Sequence, residues 1–165
     1  MNTVKEICTN KKLLSLPSKT VSLKDIHNGK VTSIITDMYA TIRAIDKKTR
    51  RKTLGLAAPQ IEVQQRICVI RSKLGWIEMI NPTITNKSEM HYRQNCEICH
   101  SYPEEPFMVR RYDKITVRYL NTKGQTKVKQ FSGRTGRVTQ HEIDHLEGIV
   151  PTKQQFRNGK YYKEH

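Results

Sequence analysis

No stretch of this 165-residue chain approaches the ~20 consecutive apolar residues that a membrane-spanning helix requires. The opening segment, MNTVKEICTNKK, lacks the apolar core and cleavage site of a secretory signal. A cytoplasmic protein without a membrane anchor is therefore expected. Cysteine is scarce, at four residues (Cys8, Cys68, Cys96 and Cys99), which excludes a disulfide-dense scaffold and makes reduced thiols the default. There is no internal repeat and no low-complexity linker, so solenoids and strings of modules drop out and one domain over residues 1–165 is expected. A chain of this size buries roughly 70% of its unfolded surface, enough for a core without covalent staples. Acidic residues are also few: 15 Asp+Glu face 30 Lys+Arg, giving a formal charge of +15. That charge favours salt-dependent contact with polyanions such as ribosomal RNA, but names no function.

The elements come from periodicity. Residues 1–29 read as a loop-rich arm. Val31, Ile34, Ile35, Met38, Tyr39, Ile42 and Ile45 recur at helical spacing and predict a helix ending near Lys47. The basic run Asp46–Lys52 reads as a solvated turn. Arg66–Arg71 and Trp76–Ile80 read as strands, the second ended by Asn81-Pro82. Lys114–Asn121 and Val128–Phe131 alternate around Asn121–Gly124 and predict a hairpin. A polar helix containing His141 and His145 follows Gly133 and Gly136, and a short tail occupies about 150–165.

His141-Glu142-Ile143-Asp144-His145 is an HExxH sequence. On a helix its two histidines share one face, close enough for one metal ion, with Glu142 beside them. Without a metal the same letters describe a polar surface helix. A catalytic site needs a third protein ligand and an open position. Downstream, Glu147 points elsewhere on a helix, while Glu164 and His165 sit at a fraying terminus. The third ligand is therefore expected upstream, where Cys96 and Cys99 are the candidates. Cys96-Glu97-Ile98-Cys99 also has the spacing of a redox pair, but no βαβ unit accompanies it, and its distance from His141 far exceeds that of a zinc finger. Cys8 and Cys68 read as small apolar residues. In Gly55-Leu56-Ala57-Ala58-Pro59-Gln60, small residues permit close approach of a substrate backbone and Gln60 offers an amide donor, although such a turn alone is commonly structural.

Leu54–Gln60, Glu97-Ile98-Cys99-His100-Ser101 and Gln140–His145 together resemble, in order and spacing, the three signature motifs of peptide deformylases. The likeness continues through Tyr102–Glu105 and the strands up to Phe131, covering roughly residues 30–150. It implies an α+β fold with antiparallel and mixed β-sheets around a central HExxH helix. It implies a metal-dependent hydrolase that removes the formyl group from N-formyl-methionyl nascent peptides and releases formate. Cys99, His141 and His145 would be the ligands of one divalent ion, iron(II) in the cell, with zinc, nickel or cobalt as substitutes. Glu142 would be the general base and acid, and Gln60 with the backbone N–H of His100 the oxyanion donors. Gly55, Leu56 and Glu97 would contact substrate.

Relatives usually carry glycine where Thr53 stands, and glycine and leucine where Ile98 and His100 flank the cysteine. Arg134 and Arg137 occupy positions that are often apolar near the methionine pocket. The chain also stops soon after the HExxH helix, like short virus-encoded members that lack the C-terminal helix, so any ribosome contact would be a weak electrostatic one made by a monomer, in a bacterial or virus-infected bacterial cytoplasm. Two other readings compete: a metallopeptidase cutting internal bonds, and a basic RNA-binding protein with a closed Cys2His2 site that includes Cys96.

Overall fold

The computed structural model describes residues 3–88, 95–109 and 111–150, with the side chains at positions 95, 96 and 104–108 outside that description. The tail expected from residue 151, with Glu164 and His165, lies outside the described residues. The arm read as loop-rich carries two short helices, α1 (Lys11–Leu14) and α2 (Leu23–His27). Each opens on a capping side chain: Asn10 Oδ1 accepts from the Leu13 N–H at 3.3 Å, and Ser22 Oγ from the Asp25 N–H at 3.1 Å. Helices this short do not persist alone. Burial of Leu14 and Ile26 holds them to the body of the protein. The long helix α3 (Lys30–Thr49) extends slightly beyond the expected range, taking in part of the basic run, and Arg50 ends it in the left-handed conformation at φ 55°.

Beyond α3 come β1 (Gly55–Ala57), a 3₁₀ turn (Ala58–Ile61), β2 (Ile67–Ser72), β3 (Gly75–Lys87), β4 (Asn95–Cys99), β5 (Tyr102–Val109), β6 (Lys114–Leu120), β7 (Thr126–Ser132) and α4 (Gly133–Leu146). β1-β2-β3-β6-β7 form one sheet and β4-β5 a separate two-stranded ribbon. Every ladder among the described residues is antiparallel. The parallel component of the expected mixed sheets amounts there to one isolated bridge, Lys19 to Gln65.

β3 corrects one expected boundary. Asn81-Pro82 does not end it. Asn81 adopts φ 52° and its side-chain amide grips the Val21 backbone, accepting from its N–H at 2.8 Å and donating to its carbonyl at 2.9 Å. The register to β6 shifts between Ile80 and Thr83, so Pro82 sits in a bulge, where no ladder N–H is required of it.

Alternation along β2 sorts the core into two layers. Ile67 and Val69 pack with Ile35, Met38 and Ile42 of α3, together with Leu56 and Ile80. Cys68 and Ile70 pack with Ile143 and Leu146 of α4, together with Met79, Ile115, Val117 and Phe131. Each of these aliphatic side chains contributes about 1.5–3 kcal/mol by burial. The HExxH helix is thereby pressed against one face of the sheet. A third apolar cluster joins the arm to the ribbon, placing Cys8 and Leu14 with Cys99, Tyr102 and Val109. Two backbone bonds reinforce it: Cys8 N–H donates to the Gln60 carbonyl at 2.8 Å, and Ser18 N–H to that of Leu146 at 2.9 Å. Among the described residues no helix is long and apolar enough to cross a membrane.

Candidate metal centre and active site

His141 and His145 lie one turn apart on α4, with ring centroids 4.9 Å apart and planes at 80°. Cys99 ends β4 beside them, its Sγ 3.2 Å from His145 Nε2. One potential ligand atom from each of the three falls within 4.8 Å of the others, and all three residues are buried. The Cys96 side chain lies outside the described set. Glu147 instead pairs with Arg66 at 2.7 Å.

His141 is oriented by a specific partner, whereas His145 Nδ1 has none among the described residues. His141 Nδ1 meets Glu97 Oε2 at 2.8 Å, which leaves Nε2 as its ligand atom. Glu97 is gripped by Arg111, whose Nε and Nη2 donate to its two oxygens at 3.0 and 2.9 Å, and Arg111 Nη1 continues to Asp144. Burial would raise the Glu97 carboxyl, but hydrogen bonds from His141 and Arg111 outweigh it and hold it at about 2. Glu97 thus positions His141 while also lining the cleft. Burial opposes charge on His141 too, yet bonding to Cys99 and Glu97 carries its pKa upward. His145 goes the other way, lowered to about 3 by burial and then by the charges of His141 and Arg111, so it is a neutral imidazole. One cysteine sulfur and two imidazole nitrogens, converging in a buried cluster, suit a borderline divalent metal ion.

Glu142 lies beside this cluster, fully enclosed, its Oε2 without a hydrogen-bond partner among the described residues. Desolvation raises its carboxyl to about 7, against the opposing pull of His141. Gly55 explains how it fits: a Cβ there would stand 2.5 Å from Glu142 Oε1 and 2.8 Å from Val138 Cγ1. Gln60 is pinned by the Ala57 N–H, which donates to its Oε1 at 2.9 Å, and its Nε2 faces Cys99 Sγ at 3.5 Å and Ser101 Oγ at 3.4 Å.

These groups floor a cleft of about 450 Å³. Gly55, Gln60, Glu97, Cys99, His100, His141 and Glu142 line it, as does the exposed Ile98. Leu56 does not: its side chain is fully buried in the α3-facing core, correcting the expectation that it lines the groove. His100 is half-buried, its ring Nε2 3.2 Å from Thr53 Oγ1, so two residues that depart from the family pattern touch each other. Arg111 and Asp144 were not singled out as site residues in the sequence. The alternation of β4, which turns Glu97 to the same side as Cys99, was the available signal for Glu97, whereas nothing local marks Arg111.

Such a centre, a three-ligand metal cluster with a protonatable carboxylate and a fixed amide donor at the base of an open cleft, is that of a mononuclear metallohydrolase. The family profile described as polypeptide deformylase matches residues 4–159. Peptide deformylase 1 of Bacillus subtilis is 34% identical over 164 residues, covering 98% of this chain and 94% of that protein. Among solved structures, a Met-Ala-Ser-bound class I type b peptide deformylase from Acinetobacter baumannii superposes with a TM-score of 0.78 at 27% identity, covering 91% of this chain and 97% of that one. A peptide deformylase from Legionella pneumophila gives 0.75 at 29%, covering 90% and 83%. The chain belongs to the polypeptide deformylase family. It is a metal-dependent hydrolase that removes the N-formyl group from newly made polypeptides.

Proposed function

We propose that Cys99, His141 and His145 hold one iron(II) ion, for which zinc, nickel or cobalt can substitute, and that the catalytic work of the chain falls to Glu142, Gln60 and His100. The ion, when bound, supplies Lewis acidity and makes water a competent nucleophile near neutral pH. Glu142 takes the proton of the attacking water and returns it to the departing amine, with formate as the other product. A carboxyl held at about 7 has nearly equal capacity for both transfers at neutral pH. The Gln60 side-chain amide and the His100 backbone N–H donate to the oxygen that gains charge as the formyl carbon becomes tetrahedral. Because Ala57 fixes Gln60 before substrate arrives, little reorganisation accompanies that step. Gly55 keeps the wall clear for Glu142 and the formyl end of the peptide.

The observation that carries this assignment is the unpartnered carboxylate oxygen of Glu142, enclosed beside the Cys-His-His cluster at the base of the cleft. We further propose that the chain works as a monomeric single catalytic domain in the bacterial cytoplasm, meeting nascent chains with a weak electrostatic attraction to ribosomal RNA from its +15 charge. Anaerobic formate release from formyl-Met-Ala-Ser by wild type and by Glu142→Ala, with metal content measured on both, tests the chemistry. Release by wild type, near-zero release by the variant and one metal in each are expected. A one-metal wild type that releases no formate would overturn the assignment.

A further inference from the structure

We infer that the cleft selects formylated chains carrying acidic side chains in the few positions after the methionine, a specificity that rests on the deformylase reading of the site. Arg137 and Arg134 precede His141 by four and seven residues on α4, so they share its face, about 6 and 10.5 Å along the helix axis. Both line the cleft. An extended peptide advances about 3.3 Å per residue. A peptide whose reacting carbonyl sits at the metal cluster and whose chain runs along the axis of α4 would pass Arg137 and Arg134, beyond the methionine pocket they border, between about its second and fourth residues. Arg51 and Lys52, leading into β1, line the same cleft.

None of the four cations has an ion-pair partner among the described residues, where the ion pairs join Lys5, Lys30, Arg66, Arg71, Arg111 and His141 to their carboxylates. Among the described residues, the acids that line the cleft or act on it are already committed. Glu97 is gripped by Arg111 and His141, Glu142 is enclosed at the floor, and Asp46, whose charge reaches His100, pairs with Arg71 at 3.0 Å. Uncompensated cations lining the cleft focus a positive potential along the path of the peptide. The planar arginine fork also matches a carboxylate with two hydrogen bonds. Lysine or arginine in the same peptide positions meets like charge from all four.

The test compares kcat/KM for three C-terminally amidated peptides, formyl-Met-Asp-Glu, formyl-Met-Ala-Ser and formyl-Met-Lys-Arg, at low and high salt. Binding of the corresponding unformylated peptides is measured by calorimetry on the same enzyme. The expected result is a preference of at least tenfold for the acidic over the basic peptide in both kcat/KM and affinity, shrinking several-fold at high salt. In Arg134→Gln/Arg137→Gln the acidic-to-basic ratio should fall to about twofold, whatever the variant's absolute rate. Equal values for acidic and basic peptides in wild type, or an unchanged ratio in the double variant, would overturn the inference. Preference for a free-acid over an amidated Met-Ala-Ser peptide, with no effect of side-chain charge, would also overturn it. Failure to turn over formyl-Met-Ala-Ser at all would instead defeat the deformylase assignment, and the calorimetric ratio would still decide the charge selection.

Discussion

Two residues around the metal cluster do their work through other side chains. Gly55 matters for what it omits. In Gly55→Ala the new methyl would enter the space of Glu142 Oε1 and Val138, so formate release should drop about tenfold or more, with a stability loss of about 1–3 kcal/mol. One metal per chain should remain, as elemental analysis would report. Glu97 acts on His141. Glu97→Gln should weaken metal affinity about 10- to 100-fold, measured by competition with a chelator. Its folded pKa of about 2 lies below the ordinary carboxyl value. Its stabilisation is therefore complete above the ordinary value and is lost as pH falls toward 2. In urea unfolding of metal-stripped protein, Glu97→Gln should be less stable than wild type by on the order of 3 kcal/mol at pH 6, with the gap closing between about pH 4.5 and 2. A gap independent of pH would mean that Glu97 contributes only shape.

Among the elements, the bulge in β3 is the clearest case of a tertiary contact overriding local signals. Asn-Pro reads as a stop, and alternation alone could not show that the Asn81 amide would bond both backbone groups of Val21 and carry the strand onward. Asn81→Ala loses both bonds and places alanine at a positive φ, so it should cost about 2–3 kcal/mol in a urea titration. Asn81→Gly, relieved of the backbone strain, should cost less. Elsewhere the pattern was legible. α3, β2 and β6 follow patterns visible in the chain because each buries a continuous face, while β7, which buries only Phe131, was legible from its turn and the HExxH helix from its motif. α1 and α2 were not legible, since four or five residues carry no period and exist only through their caps and their packing. The same division runs through the site. The two histidines and Glu142 belong to one local motif, and choosing Cys99 over Cys96 needed the family pattern. Arg111, joined to Glu97 and Asp144 from two other elements, needed the fold.

For the molecule as a whole, the proposed metal site is also a structural joint, because the residues that would hold the ion come from the ribbon and from α4. Stripping the ion with a strong chelator should lower the thermal midpoint of wild type, and adding the ion back should restore it, as expected when a ligand binds only the folded state. Cys99→Ser should show little of either shift in a thermal melt.

The arm gives that joint a place in time. Its bonds to Gln60 and Leu146 close long loops, and the second of them spans most of the chain. Gly148 shows how tightly the seam is drawn, since a Cβ there would stand 2.5 Å from the Ser15 carbonyl oxygen. Contacts so distant in sequence form late in folding. On the ribosome, residue 18 emerges long before residue 146 is made, so the early arm must wait for α4. The enzyme's working pocket is then assembled only once α4 has been made, and in refolding experiments activity should return after the helices and the central sheet have formed.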